Sequence, residues 1–295
     1  MKKSQHTTKK SIDKKHKSTT YGLALSGGAA LGAYQAGAIK ALRERGLDIR
    51  VVAGSSIGAL NGYLAATGDI ELLISLWSDM DKKKLITINS FAKLFFSPSE
   101  SLLKDDNQRK IVETHVRLKD LEACGVEFIA STISLNTGKL HYFSHKEARS
   151  DKDLHNFILA SSAIPGVFPP IKIGHELFMD GGLIRNTPIE IIAHKKIDRI
   201  IAISMEPENY PHEPVNSAGQ IALRTLSIFF RAQAEDAVAL HKTLSKQKKI
   251  PKLFLLRPKK TLPMQQFEFE PKKIHALLEQ GYKEARDFIH KEHLA

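Results

Sequence analysis

The chain is 295 residues long, 42% hydrophobic, with a net charge of +12 and one cysteine. A chain of that length buries roughly three quarters of the surface it exposes when unfolded, enough for a core without disulfide or metal staples. Cys124 alone excludes an intrachain disulfide framework and a cysteine-rich zinc site, fits a reducing compartment, and reads as a small core residue.

Half of the net charge lies in residues 1–20, MKKSQHTTKKSIDKKHKSTT, where seven lysines stand against one aspartate. This opening has no apolar run, so it is neither a secretory signal nor a membrane anchor, and it reads as a disordered basic arm. Such an arm is a solvated tail or a contact for an anionic membrane surface; nucleic acid is not expected as a partner. No stretch reaches 18 uninterrupted apolar residues, which excludes a spanning helix. The expected location is the cytoplasm with peripheral membrane contact, with export lacking a classical signal as the alternative. The oligomeric state is not legible.

After the arm, YGLALS is a short buried strand ending in glycines, and GAYQAGAIKALRERG has apolar residues at helical spacing with Gly46 as a stop. DIRVVAG reads as a second strand, SSIG as a turn and ALNGYLAATG as a second helix. Strand-helix-strand-helix at this spacing predicts a parallel sheet with helices on both faces. Residues 69–122 read as mostly helical and irregular, and VEFIASTISLNTGKLHYFS as a hairpin turning at NTG. A helix in DLHNFILASSA, a proline-rich corner IPGVFPP and a short hairpin IKIGHELFMDGG follow. TPIEIIAHKK and DRIIAISM continue as helix and strand, AGQIALRTLSIFFRAQAEDAVALHKTLSKQ is a long helix, KLFLLRP a last strand, and PKKIHALLEQGYKEARDFIHKE a closing amphipathic helix. No internal repeat or linker divides the chain, so 21–295 is expected to form one domain.

The stretch VVAGSSIGALNG contains G-x-S-x-G, with Ser56 between Gly54 and Gly58. A nucleophilic serine on a strained strand-to-helix turn needs small neighbours, and this segment supplies the strand before and the helix after. The competing use is a serine that caps the helix. A serine ester hydrolase also needs donors for the oxyanion. LALSGGAALGAY offers the backbone N–H groups of Gly27, Gly28 and Ala29 between a strand and a helix. Phosphate binding fits poorly, since neither G-x-G-x-x-G nor a lysine-serine pair is present, and tight packing is the other use. No histidine sits in a persuasive motif: His145, His175 and His194 read as surface residues. Asp180, in ELFMDGGLIRNTP, is delivered by an apolar strand to a turn where Gly181 and Gly182 allow close approach, although an aspartate there is often only a turn residue.

GLALSGGAALGAYQAGAIKAL, GSSIGALNG, ASSAIPGVFPP and DGGLIRNTPI, in this order, closely resemble the four motif blocks of the patatin-like phospholipase family, over about Tyr21 to Met205. The resemblance implies a three-layer α/β/α sandwich with a mostly parallel sheet, and a lipid acyl hydrolase of phospholipase A or lysophospholipase type. It implies a serine-aspartate dyad without histidine, carried here by Ser56 and Asp180, an oxyanion hole at Gly27-Gly28-Ala29, and supporting motif glycines at Gly32, Gly54, Gly58, Gly181 and Gly182. The substrate implied is a lipid or phospholipid, with no cofactor; the chain shows neither a calcium loop nor a histidine pair at zinc spacing.

Two departures stand out. Ala29 takes the third glycine's place and Leu31 stands where arginine or lysine is common, which keeps the N–H but removes a charge that would help with an anionic head group. Ile57 replaces a frequent small residue and is expected to narrow the pocket beside Ser56. Phe91–Phe96 (FAKLFF) and the helix IALRTLSIFF are candidates for a lid or interfacial surface, or for core. A histidine-triad esterase for small soluble esters and an inactive lipid-binding protein of the same fold are the competing readings. The first would place its elbow after more strands than the two that precede Ser56.

Overall fold

The computed structural model describes residues 18–79, 106–165, 168–209, 215–247, 249–264, 266 and 269–294. All but the last three residues of the basic arm, and the Phe91–Phe96 segment, lie outside the described residues. β1 (Thr20–Leu25) ends in the glycine-rich turn, which closes with one 3-10 turn at Ala29–Leu31 before α1 (Gly32–Glu44). β2 (Asp48–Gly54) lies parallel to β1 and leads into α2 (Ile57–Thr67). The region expected to be helical and irregular holds α3 (Ile70–Ser78), α4 (Asp106–His115) and α5 (Leu118–Cys124), where half-buried Cys124 packs against the core.

β3 (Glu127–Ser134) and β4 (Leu140–Ser144) form the antiparallel hairpin read at NTG, followed by α6 (Asp151–Ser161). β5 (Ile171–Ile173) and β6 (Glu176–Asp180) form the second hairpin. α7 (Ile189–Ala193), β7 (Arg199–Ile203), α8 (Ala218–Gln247), β8 (Lys252–Leu256) and α9 (Pro271–Lys291) complete the order.

The strands make one sheet in the order β5-β6-β3-β2-β1-β7-β8, with β4 on β3. The β3-β2-β1-β7-β8 segment is parallel throughout. Alternation along the buried strands assigns the two faces. Leu23, Leu25, Val52, Phe128, Ile201 and Ile203 join the core shared with α1, α2 and α9. Their neighbours Ala24, Val51, Ala53, Ile129, Ile200 and Ala202 join a smaller core with Ile189 and Ile192 of α7, against which Ala237 and Val238 of α8 pack. The result is helix layer, sheet, helix layer.

On the larger face α9 crosses α1 at backbone contact. A Cβ on Gly37 would stand 2.0 Å from the Leu278 carbonyl oxygen, and one on Gly281 would stand 1.9 Å from that of Tyr34. Each helix therefore has a glycine where the other's backbone passes, and Tyr34, fully buried, reaches across to donate to Glu284 at 2.9 Å.

Candidate active site

Ser56 occupies the junction of β2 and α2 with φ 56°, ψ −130°, a left-handed φ that is uncommon for a residue with a Cβ and costs on the order of 1–3 kcal/mol. The two flanking glycines make this turn sterically possible. A Cβ on Gly54 would lie 2.1 Å from the Gly58 carbonyl oxygen, and one on Gly58 would lie 2.5 Å from that of Leu25. Ser56 does not cap α2 with its hydroxyl. Ser55 is fully buried and occupied: its Oγ shares a 2.5 Å hydrogen bond with Ser131 Oγ and donates to the Arg185 carbonyl at 2.9 Å. Of the two serines, only Ser56 faces the pocket.

β3 brings the carboxylate. It pairs with β2 up to Ala130↔Gly54, and two residues further on Thr132 pairs with Asp180 of β6. Asp180 therefore arrives just beyond the end of β2, where the Ser56 turn begins. Gly181 fits tightly there, since a Cβ on it would meet Ser131 at 2.5 Å. Asp180 is 6% exposed and Oδ1 accepts the Gly182 N–H at 2.7 Å. Burial raises its pKa from 3.8 to about 7, while the Gly182 N–H and the Ser56 hydroxyl pull it back down.

The segment after α6 ties the two together. Ser56 N–H donates to both the carbonyl and the Oγ of Ser161 at 3.0 Å, and Asp180 N–H donates to the Ala163 carbonyl at 3.1 Å. Ile164 and Pro165 then line the pocket. The ASSAIP block is thus a joint between the serine and carboxylate turns.

The glycine-rich loop presses on Ser56 from the other side: a Cβ on Gly27 would stand 2.9 Å from Ser56 Cβ. Among the described residues the backbone N–H groups of Gly28 and Ala29 have no acceptor, and both residues line the pocket. Gly27 departs from the expectation. Its N–H is already engaged by Asn186, whose backbone oxygen and Oδ1 accept it at 3.2 and 3.0 Å. Ala29 holds φ 49°, a second left-handed non-glycine residue at this site. Below the loop runs a buried polar chain: Trp77 Nε1 donates to Asn61 Oδ1, Asn61 Nδ2 to Gln35 Oε1 and the Gly32 carbonyl, and Gln35 Nε2 to the Ser26 carbonyl. Gly32 leaves room for Trp77, whose ring would stand 2.6 Å from a Cβ there.

The pocket encloses about 430 Å³ of empty space, its mouth included. Leu183, and Leu226 and Phe230 of α8, supply apolar walls, and Gln266 closes one side. The buried Glu206, three residues past the end of β7, accepts from Ser227 of α8 and, at 3.4 Å, from Gln266, so α8 is tied down beside the opening. No histidine lines this pocket among the described residues. His175 and His194 are exposed, as read from the sequence. His145 is not: it is buried, its Nδ1 accepts the Phe128 N–H at 3.0 Å, and burial lowers its pKa. Ile57 also departs from expectation; it packs beside Gly32 against the core and does not line the pocket. Leu31 is buried in the same core.

A family model described as "Patatin-like phospholipase" matches residues 23–193, and the chain belongs to that family. Among its relatives are a "Probable lipid hydrolase" of Invertebrate iridescent virus 6, 31% identical, with 62% of this chain and 69% of that protein covered. An "Uncharacterized NTE family protein" of Mycobacterium bovis is 33% identical over 62% of this chain and 48% of its own length. A "Lysophospholipase" of Aspergillus terreus is 27% identical over 62% of this chain and 12% of its own. The match thus spans about half or less of the second and third relatives. VipD from Legionella pneumophila shares the fold, with a TM-score of 0.54 at 16% identity, over 93% of this chain and 67% of that one.

Proposed function

We propose that the chain is a lipid acyl hydrolase that cleaves carboxylic esters through Ser56 and Asp180 and an acyl-serine intermediate. The observation that carries this reading is the strained Ser56 turn beside a buried Asp180 whose pKa is pushed up to about 7. Asp180 accepts the hydroxyl proton as Ser56 Oγ attacks the ester carbonyl, and the N–H groups of Gly28 and Ala29 hold the oxyanion. Collapse of the tetrahedral intermediate breaks the ester C–O bond, and the proton on Asp180 passes to the departing alcohol or lysolipid oxygen. Water then attacks the acyl-serine, giving up a proton to Asp180. The second collapse returns that proton to Ser56 and releases the fatty acid.

The substrate we propose is a phospholipid or lysophospholipid presented at a membrane surface. The apolar pocket walls support an acyl chain, and the outer face of α8 supports the surface: Ile228 and Phe229 are 51% and 46% exposed beside the pocket-lining Leu226 and Phe230. Such exposed apolar residues at a site's mouth fit contact with a lipid interface. No helix among the described residues is long and apolar enough to cross a membrane. We also propose that residues 21–295 work as one catalytic unit, because α9 packs on α1 and the Gln266 carbonyl accepts the Ala30 N–H of the catalytic loop at 2.8 Å.

The test is hydrolysis of phospholipid vesicles and short-chain esters by the wild type, Ser56→Ala and Asp180→Asn. Both variants are expected to lose roughly a thousandfold or more in kcat. Full activity in Asp180→Asn removes the dyad, and a wild type that turns over no ester removes the enzyme.

A further inference from the structure

The catalytic loop carries Ala29 in the left-handed region, so something outside the loop must hold it there. Three of its contacts are ordinary supports: Gln35 on the Ser26 carbonyl, Asn61 on the Gly32 carbonyl, and the Gln266 carbonyl on the Ala30 N–H. The fourth is different, because it comes from the turn that carries Asp180. Asn186, 2% exposed, grips both polar groups of Gly27: Oδ1 accepts the N–H at 3.0 Å and Nδ2 donates to the carbonyl at 3.3 Å. Its backbone oxygen accepts the same N–H at 3.2 Å. A Cβ on Gly182 would stand 2.9 Å from Asn186 Oδ1 and 3.0 Å from Asp180 Oδ1, so the carboxamide lies packed between base and loop. Gln233 of α8 holds Asn186 in turn, accepting its N–H at 2.9 Å and donating to the Leu183 carbonyl at 3.0 Å.

We infer that Asn186 is a positioning residue: a strut between the Asp180 turn and the glycine-rich loop that aims the N–H groups of Gly28 and Ala29 at the carbonyl oxygen of the ester attacked by Ser56. The inference rests on the hydrolase reading above. Asn186 acts through Gly27, where its carboxamide is engaged. Its removal therefore leaves substrate binding in place and misaims the donors that matter only when the oxyanion forms, an error that costs about 100-fold for a displacement near 1 Å. The effect belongs in kcat and not in KM.

The experiment compares the full chain with Asn186→Ala, Asn186→Asp and Gln233→Ala, reading short-chain ester kinetics and amide hydrogen exchange of the Leu25–Gly32 segment. Asn186→Ala is expected to lose about 30–100-fold in kcat with KM within about twofold, and to exchange about tenfold faster across that segment. Asn186→Asp keeps the size and the acceptor for the Gly27 N–H but sets an anionic oxygen against the Gly27 carbonyl. It is expected to lose as much, and it decides the matter if the alanine variant does not fold. Gln233→Ala, which frees the Asn186 N–H and the Leu183 carbonyl but leaves the Asn186 carboxamide on Gly27, is expected to lose less than about fivefold. A folded Asn186 variant with kcat within about threefold of wild type, or with unchanged exchange in 25–32, overturns the inference. Exchange is read without substrate. A wild type that hydrolyses nothing therefore sinks the hydrolase reading, while the strut still stands or falls on the exchange result.

Discussion

A carboxylate of ordinary pKa is a poor base for a serine hydroxyl, and the surroundings of Asp180 change that. Burial drives its pKa to about 7 against the pull of the Gly182 N–H and the Ser56 hydroxyl. If the ionised carboxylate is the base, kcat/KM rises with pH through a midpoint near 7 and flattens above it. A profile that is flat from pH 5 to 8 removes Asp180 from that role. The same shift has a cost in stability. Because the folded pKa lies above the unfolded value of 3.8, the native state binds the extra proton and stability falls as pH rises from about 4 to 7. The full loss is up to about 4 kcal/mol. Asp180→Asn cannot ionise and keeps an oxygen for the Gly182 N–H. Melting curves at pH 4, 6 and 8 are therefore expected to show the variant gaining on wild type, by little at pH 4 and by several degrees at pH 8.

At the scale of elements, the glycines that fix the site and those that fix the fold act by the same steric means. Gly54 and Gly58 let β2 turn into α2 within contact of its own backbone, whereas Gly37 and Gly281 let α1 and α9 touch. A methyl group at either helix glycine would force the pair apart. Gly281→Ala is expected to lower unfolding free energy by about 1–3 kcal/mol, the usual range for overpacking, with Gly37→Ala similar. Chemical denaturation measures it, and a loss under about 0.5 kcal/mol would mean that the helices separate without penalty. Most elements were legible beforehand: apolar runs of strand length ended by glycine, and helical spacing between them, mark β1, α1, β2 and α2 because local pattern and tertiary burial agree there. The NTG hairpin was legible for the same reason. His145 was not, since its burial comes from its ring reaching back to the Phe128 N–H, a contact that no local pattern encodes.

At the scale of the molecule, the matched family region and the rest divide the work. Ser56, Asp180 and the glycine-rich loop lie within residues 23–193, whereas Leu226, Phe230 and Gln266, which shape the pocket, lie beyond it. The chemistry we propose thus sits in the matched region, while the apolar wall of the pocket is built from both sides of its boundary, Leu183 within it and Leu226 and Phe230 beyond it. The outer face of α8 makes a test at this scale. Placing half-exposed Ile228 and Phe229 in lipid is worth roughly 1 kcal/mol each, so Ile228→Asp with Phe229→Asp is expected to weaken vesicle binding about tenfold or more in flotation assays. Deleting residues 1–20 removes six net positive charges and is expected to weaken binding to anionic vesicles and leave neutral ones unaffected. Unchanged binding in both cases removes membrane contact from the account.

The sequence by itself determined the strand and helix order, the Ser56 turn and the family resemblance, because each rests on residue type at short spacing: glycine where a Cβ cannot fit, apolar residues where an element is buried. The tertiary structure alone decided what faces what. It brought Asp180 beside Ser56 through the β2-β3-β6 register, a pair the sequence named only through the family resemblance, set Ile57 against the core, and took the Gly27 N–H for Asn186. Those outcomes depend on which strands become neighbours and how far one strand outruns the next, and such long-range pairings leave no mark on the local pattern of the chain.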